Sequence, residues 1–340
     1  MIRTVLGELP REALGFTLPH EHILIDMENC VDEMPHAEFH GKITPTIRYL
    51  MVSDPYYIKE NAAYTDEDVA VRELELFKKY GGESIVDCTP DDIGRDVRAL
   101  RRISERTGVN IIVGCGHYTE PSLSDKIKNM TVTELTEEIL HDLNVGVQGT
   151  DIRAGVIGEI GTSAEITDAE KKCVEAALIA ARETGASVHF HTSLWEENGK
   201  TVLEMAKKVG TAPSGICIDH VDVDLRYDYC KHLLDEGAWI EFDNCGKEFF
   251  MPPRDHGKIR GKFAYDMERA EMIARLIADG YGERLLVTND ICLKTMLAEY
   301  GGNGFMHVAR SILPMLRYIG VKEADIGRLT IENPATFLDF

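Results

Sequence analysis

Eight short apolar and β-branched runs, each followed by a segment with helical spacing, constrain this chain more than any other feature it has. The runs are Gly15–Pro19, Ser84–Cys88, Asn110–Cys115, Gly155–Ile160, Ser187–His191, Gly215–His220, Ala238–Asp243 and Arg284–Asn289. Helical candidates accompany them at Asp66–Tyr80, Asp96–Thr107, Val132–Leu143, Asp168–Thr184, Val202–Val209, Leu225–Asp235, Met267–Asp279 and Met306–Ile319. Intervals of about 30 residues fit repeated βαβ units, whose sheets are parallel and whose crossovers are right-handed. Eight such units are what a closed barrel requires, and no Gly/Ser linker divides the series. The reading is α/β: a (β/α)8 TIM barrel forming a single domain over residues 1–340, with an insertion at about 29–63 and a long loop at about 244–265. An open, doubly wound sheet is the structural alternative, because local patterning does not show whether the edges close.

Helix ends are marked as well. Thr167 stands as an N-cap before Asp168–Thr184 with Glu170 three residues on, and Gly185 follows the last helical residue. A formal net charge of −21, spread along the chain, repels phosphate backbones and anionic lipid, so a small-molecule substrate is expected and neither nucleic acid nor membrane is. Eight cysteines include no C-x-x-C pair; most, such as Cys88, Cys115 and Cys217, sit in apolar runs as small hydrophobes suited to a reducing compartment. The opening MIRTVLGELPREALG lacks the regions of a signal peptide, and no apolar run is long enough to span a bilayer, so a cytoplasmic location is expected. A homodimer is the ordinary expectation for a soluble enzyme.

The first run ends in Leu18-Pro19-His20-Glu21-His22. Two residues apart on a strand, both imidazoles point the same way, and at the C-terminal mouth of a barrel that direction is inward. Other ligand-type residues fall at corresponding places: Glu159 closes the fourth run, His191 the fifth and His220 the sixth, and Asp290 follows the eighth. Strand ends on that side carry the active sites of such barrels. Four imidazoles and two carboxylates exceed what one tetrahedral Zn²⁺ can use. Two divalent ions, Zn²⁺ or alternatively Mn²⁺, bridged by Glu159 and a hydroxide, account for the surplus and supply a nucleophile at neutral pH. Asp290 is then both a ligand and the catalytic proton carrier.

These elements together resemble the phosphotriesterase-like family of the amidohydrolase superfamily: Leu18-Pro-His-Glu-His22, Gly158-Glu-Ile-Gly-Thr-Ser163, His191-Thr-Ser, the His220 strand end, Thr288-Asn-Asp290, Tyr300-Gly-Gly-Asn-Gly304 and Ile331-Glu-Asn-Pro334. The resemblance runs nearly end to end. It implies a binuclear hydrolase with His20 and His22 on the buried metal, His191 and His220 on the exposed one, and Asp290 as ligand and proton shuttle; it also picks His191 over His189. That family often bridges its metals with a carboxylated lysine, whereas this chain has Glu159 at the matching position. In this it resembles the phosphotriesterase homology and phosphotriesterase-related branch, which points away from phosphotriesterase activity itself.

Lactone or carboxylic ester cleavage is the first expectation, with N-acyl amides and phosphoesters as alternatives on the same site. Substrate contacts are expected from Tyr118 in Gly116-His117-Tyr118 and from Arg254 and Arg260, within a basic segment that also holds Lys247, His256, Lys258 and Lys262. His117, His189, His256 and His307 are read as structural. A retaining glycosidase using Glu159 and Glu241 is the alternative of another class; it requires carboxylates about 5–5.5 Å apart and no metal. A barrel that keeps metals only for stability is a third.

Overall fold

Burial on both faces decides the sheet. The computed structural model describes residues 1–31, 42–52, 54–251 and 261–340. In it the eight runs form β1 (Thr17–Glu21), β2 (Ser84–Asp87), β3 (Asn110–Cys115), β4 (Val156–Gly161), β5 (Val188–His191), β6 (Ile216–Ile218), β7 (Trp239–Phe242) and β8 (Leu285–Val287). Each pairs in parallel with its sequence neighbours, in the order β8-β7-β6-β5-β4-β3-β2-β1. Unbroken apolar runs suit such strands, because helices cover one face and the opposite face fills the interior.

The two sheet edges meet through side chains. The Glu21 carboxylate accepts from the Asn289 backbone N–H at 2.9 Å, from Asn289 Nδ2 at 2.8 Å and from the Ile291 N–H at 2.8 Å. The Thr288 hydroxyl lies 2.6 Å from the same carboxylate and 3.0 Å from the His20 carbonyl oxygen. A β1 side chain thus takes over the partners that a β1–β8 ladder would supply, and the architecture is the (β/α)8 barrel.

The longer helices among the described residues are α1 (Glu67–Lys79), α2 (Val97–Thr107), α3 (Val132–Asn144), α4 (Asp168–Thr184), α5 (Asn198–Val209), α6 (Tyr227–Asp235) and α7 (Asp266–Ala278). Thr167 and Glu170 form the expected reciprocal cap, and Gly185 closes α4 in a left-handed conformation at φ 79°. Two sequence expectations shift. The first strand starts at Thr17, two residues after Gly15, whose φ of 66° is left-handed, and its register slips between Leu18 and Glu21, where Pro19 has no N–H to donate. The expected helix Met306–Ile319 is divided into a π-helical turn, Val308–Ile312, and an α-helix, Leu313–Tyr318. Pro314 in its first turn cannot donate to the carbonyl four residues back, and the wider turn absorbs that loss.

Interior side chains Val86, Ile112, Val156, Cys217 and Leu286 pack with Ile2, Leu14, Trp239 and, from the terminal helix Asn333–Leu338, Phe337. After β1, Ile25–Asp26 pairs antiparallel with Ala63–Tyr64, and the short helix Pro45–Met51 lies between them. After β7, Phe250–Met251 pairs with Gly261–Lys262. Among the described residues no helix is long and apolar enough to cross a membrane.

Candidate metal centre

Strand ends deliver six ligand-type side chains to one place. Glu159, buried at the end of β4, lies between two pairs of histidines. Its Oε2 is 3.3 Å from His20 Nε2 and 3.5 Å from His22 Nε2, while Oε1 is 2.7 Å from His191 Nδ1 and 3.6 Å from His220 Nε2. The donor atoms of His20, His22 and Glu159 form one set within 4.8 Å of one another, and those of Glu159, His191 and His220 form a second. Asp290 joins on the far side, its Oδ1 3.2 Å from His22 Nε2.

Gly158 makes the placement of Glu159 feasible: its φ is 112°, and an added Cβ would come within 2.5 Å of the His189 carbonyl oxygen. His220 and Asp290 also have positive φ, at 62° and 46°. Left-handed backbone at non-glycine residues costs free energy, and here it occurs where two candidate ligands turn toward the cluster.

The histidine orientations test whether cations fit. Glu241 Oε2 faces His20 Nδ1 at 3.0 Å, and Asp243 Oδ1 faces His220 Nδ1 at 3.0 Å. Thr89 Oγ1 donates to the Leu24 carbonyl at 3.2 Å and so accepts from His22 Nδ1 at 2.9 Å. With each Nδ1–H held outward, each Nε2 presents a lone pair to the interior, as a metal ligand must. His191 Nδ1 and His220 Nε2 stand 2.8 Å apart, both aimed at the same point. The donor set fits two dications sharing one carboxylate.

Charge supports the same fit. Burial alone would push the His22 pKa down, but Asp290 and Glu159 raise it to about 9. His220 is likewise lifted well above its usual value against burial, chiefly by Asp243. Burial lowers that of His191, with His220 beside it adding to the effect. Glu159 resists burial and stays well below the usual carboxylate range because His191 and His20 face it. The carboxylates thus draw positive charge into the cluster, as protons or as metal.

Lys247, from the segment after β7, is buried with its Nζ on Asp290 Oδ2. Burial disfavours its charge, yet Asp290 holds its pKa above the usual lysine value; Lys247 in turn keeps Asp290 ionised against burial. The sequence reading put Lys247 in a basic substrate loop; the structure makes it the partner of Asp290. Lys262 pairs with exposed Glu268, and Arg254, His256, Lys258 and Arg260 lie outside the described residues. Tyr118 reaches the cluster, its hydroxyl 3.3 Å from His191 Nδ1 and the two rings edge to face at 4.8 Å.

Three of the remaining histidines meet carboxylates away from the cluster centre: His117 on Asp92, His189 on Asp219 and His307 on Asp266. Glu159 and Glu241 do not face a common gap, because the His20 ring stands between them and Glu241 is fully buried, which leaves no space for a sugar. Asp243 was not singled out from sequence, although it closes the seventh run just as His220 closes the sixth.

Known proteins resemble this chain along nearly its whole length. The sequence model of the Phosphotriesterase family matches residues 1–338. A phosphotriesterase-related protein of Nematostella vectensis is 34% identical over 100% of this chain and 99% of its own length. An N-acetyltaurine hydrolase of Xenopus tropicalis is 32% identical over 100% and 98%. Among solved structures, a resiniferatoxin-binding protein from Rhodobacter sphaeroides superposes with a TM-score of 0.95 at 34% identity, covering 99% of this chain and 94% of the other. A lactonase from Listeria monocytogenes superposes with a TM-score of 0.78 at 25% identity, covering 100% and 99%.

Proposed function

The chain belongs to the phosphotriesterase family of metal-dependent hydrolases, and from that premise we propose that it cleaves N-acyl amides whose amine half carries an acidic group. The observation that carries hydrolysis is the Glu159 carboxylate, with one oxygen toward His20 and His22 and the other toward His191 and His220. Full-length similarity to proteins named N-acetyltaurine hydrolase supports the amide over the lactone or ester that the sequence first led us to expect. Lactone cleavage is the second reading, favoured by the likeness to a lactonase.

His20 and His22 would hold one cation, His191 and His220 the other, with Glu159 shared and Asp290 completing the set. When bound, such a pair lowers the pKa of water toward neutrality and polarises a carbonyl oxygen. Asp290, kept ionised by Lys247, accepts the proton released as the water oxygen bonds to the acyl carbon. It returns that proton to the amine nitrogen as the C–N bond breaks. Lys247 fixes Oδ2 of Asp290, so the carboxylate keeps one orientation through both transfers. Tyr118, beside His191, walls the acyl side of the site.

The test is reconstitution. Protein stripped by a chelator should lose all amide hydrolysis and regain it as Zn²⁺ or Mn²⁺ is added to about two equivalents per chain, the number expected for a bridged pair. Because His20, His22 and His220 are held in the protonated form without metal, loading should be weaker at pH 6 than at pH 8. Turnover of N-acetyltaurine and N-acetylglycine should exceed that of a γ-lactone. Activity that persists without metal, or confined to the lactone, would refute the respective half of the reading.

A further inference from the structure

Arg269, near the start of α7, is the largest fully buried side chain among the described residues. A guanidinium out of water is costly unless its donors are met, so its partners show what the charge holds in place. Nε lies 2.9 Å from Asp222 Oδ2 and donates to the Asp222 carbonyl at 3.3 Å. Nη1 donates to Asp266 Oδ1 at 3.0 Å, and Nη2 to the Lys247 carbonyl at 3.1 Å. Among the described residues Arg269 is the one cation paired with Asp222.

These partners grip a single turn, Asn244–Lys247, which follows β7 and is closed by the Lys247 N–H on the Asn244 carbonyl at 3.0 Å. Asp222 accepts from the Asn244 N–H at 3.0 Å and from Asn244 Nδ2 at 2.7 Å. Asp266 Oδ1 accepts from the Gly246 N–H at 2.9 Å, and Arg269 itself takes the far end at Lys247. A planar fork with donors on three sides can hold three such partners at once, which an ammonium cannot do in the same geometry.

Two side chains of that turn reach the candidate centre by different routes. Asn244 Nδ2 also donates to Asp243 Oδ1 at 2.6 Å, the oxygen that accepts from His220 Nδ1, while Asp243 Oδ2 accepts from the His220 N–H at 2.9 Å. Lys247 carries its ammonium to Asp290 Oδ2. The supports of His220 and of Asp290 are therefore three residues apart on one turn. By contrast His20 and His22 are held by Glu241 and Thr89, neither of which bonds to that turn.

We propose that Arg269 is a positioning residue: through the turn Asn244–Lys247 it sets both the orientation of His220 as a ligand of the exposed cation and the contact of Lys247 with Asp290. It touches neither substrate nor cation. The assignment rests on the two-cation reading above and deepens it, because it makes the exposed half of the centre, and not the buried half, depend on a charge in an outer helix.

The experiment measures cation binding to chelator-stripped protein by competition titration with Zn²⁺ alone. Arg269→Lys keeps the charge and loses the fork; Asn244→Ala cuts the path while leaving the guanidinium in place. Each should weaken one equivalent about 10–100-fold, as loss of an outer support does, and move the other less than about threefold. His191→Asn removes a ligand of the exposed cation directly, and adding Arg269→Lys to it should leave the affinity of the remaining equivalent unchanged. Ile112→Ala, which destabilises the barrel interior away from the turn, should weaken neither equivalent selectively. At saturating Zn²⁺, kcat of Arg269→Lys should still lie about 10–100-fold below that of the unaltered protein, with KM within about threefold, on whichever of N-acetyltaurine and the γ-lactone is hydrolysed.

Two equivalents weakened alike by Arg269→Lys, or neither weakened, would overturn the positioning role and leave the paired centre standing. Asn244→Ala reports even where Arg269→Lys does not fold, and affinities within twofold of the unaltered protein would overturn the role as well. Uptake of a single cation by the unaltered protein would refute the paired centre instead; the role of Arg269 then stands if that cation is weakened by both Arg269→Lys and His191→Asn, and falls if it is weakened by His191→Asn alone.

Discussion

The two ends of the barrel use the same strands for opposite purposes. Deeper in the barrel, Val86, Ile112, Val156 and Leu286 pack against one another and against Ile2 and Phe337 from near the chain termini. Where the strands finish, His20, Glu159, His220, Glu241, Asp243 and Asp290 are also buried, but as ionisable groups that need partners. Single strands show the contrast: in β4, Val156 belongs to the plug and Glu159, three residues on, to the cluster. Burial of apolar surface stabilises the first end; at the second, desolvation is unfavourable and is offset by paired charge. Stability and chemistry are therefore separable along a strand.

Asp290→Asn should break the mouth alone. Turnover should fall by roughly 10²–10⁴ in a steady-state assay, and the melting temperature should fall too, because buried Lys247 loses the charge that offsets its desolvation; a near-normal rate would remove Asp290 from proton transfer. Ile112→Ala attacks the other end, on a strand that contributes no candidate ligand. Denaturant unfolding should show a loss of about 2–5 kcal/mol, with kcat per folded molecule unchanged. A large drop in kcat would mean that the two ends are coupled. Thr89→Val is the mildest probe, since it removes the acceptor that holds His22 Nδ1 together with the hydroxyl's long bond to the Leu24 carbonyl. Metal affinity should weaken about 10–100-fold by competition titration, with little change in unfolding free energy. An unchanged affinity would show that His22 does not need that contact.

Much of this was legible in the chain because periodicity reports burial, and burial fixes strands and helices. The convergence of the candidate ligands was legible for the same reason: once Glu159, His191 and His220 fall at strand ends, the barrel brings them together. What stayed hidden depends on contacts distant in sequence. Nothing local distinguishes Lys247, buried on Asp290, from Lys262, exposed on Glu268. Closure of the edges by Glu21 was not apparent, because the residue between two histidines points away from them and into the seam. Arg269 stands in a helical run with nothing to mark it as buried, and the π-helical turn before Pro314 sits within an otherwise continuous helical pattern.

The position between the two histidine pairs is occupied by a genetically encoded carboxylate. A lysine at this place would offer a carboxylate only after carbon dioxide had been added to its amine. Glu159 carries its carboxylate from translation onward, so the group between the histidines exists without any later modification.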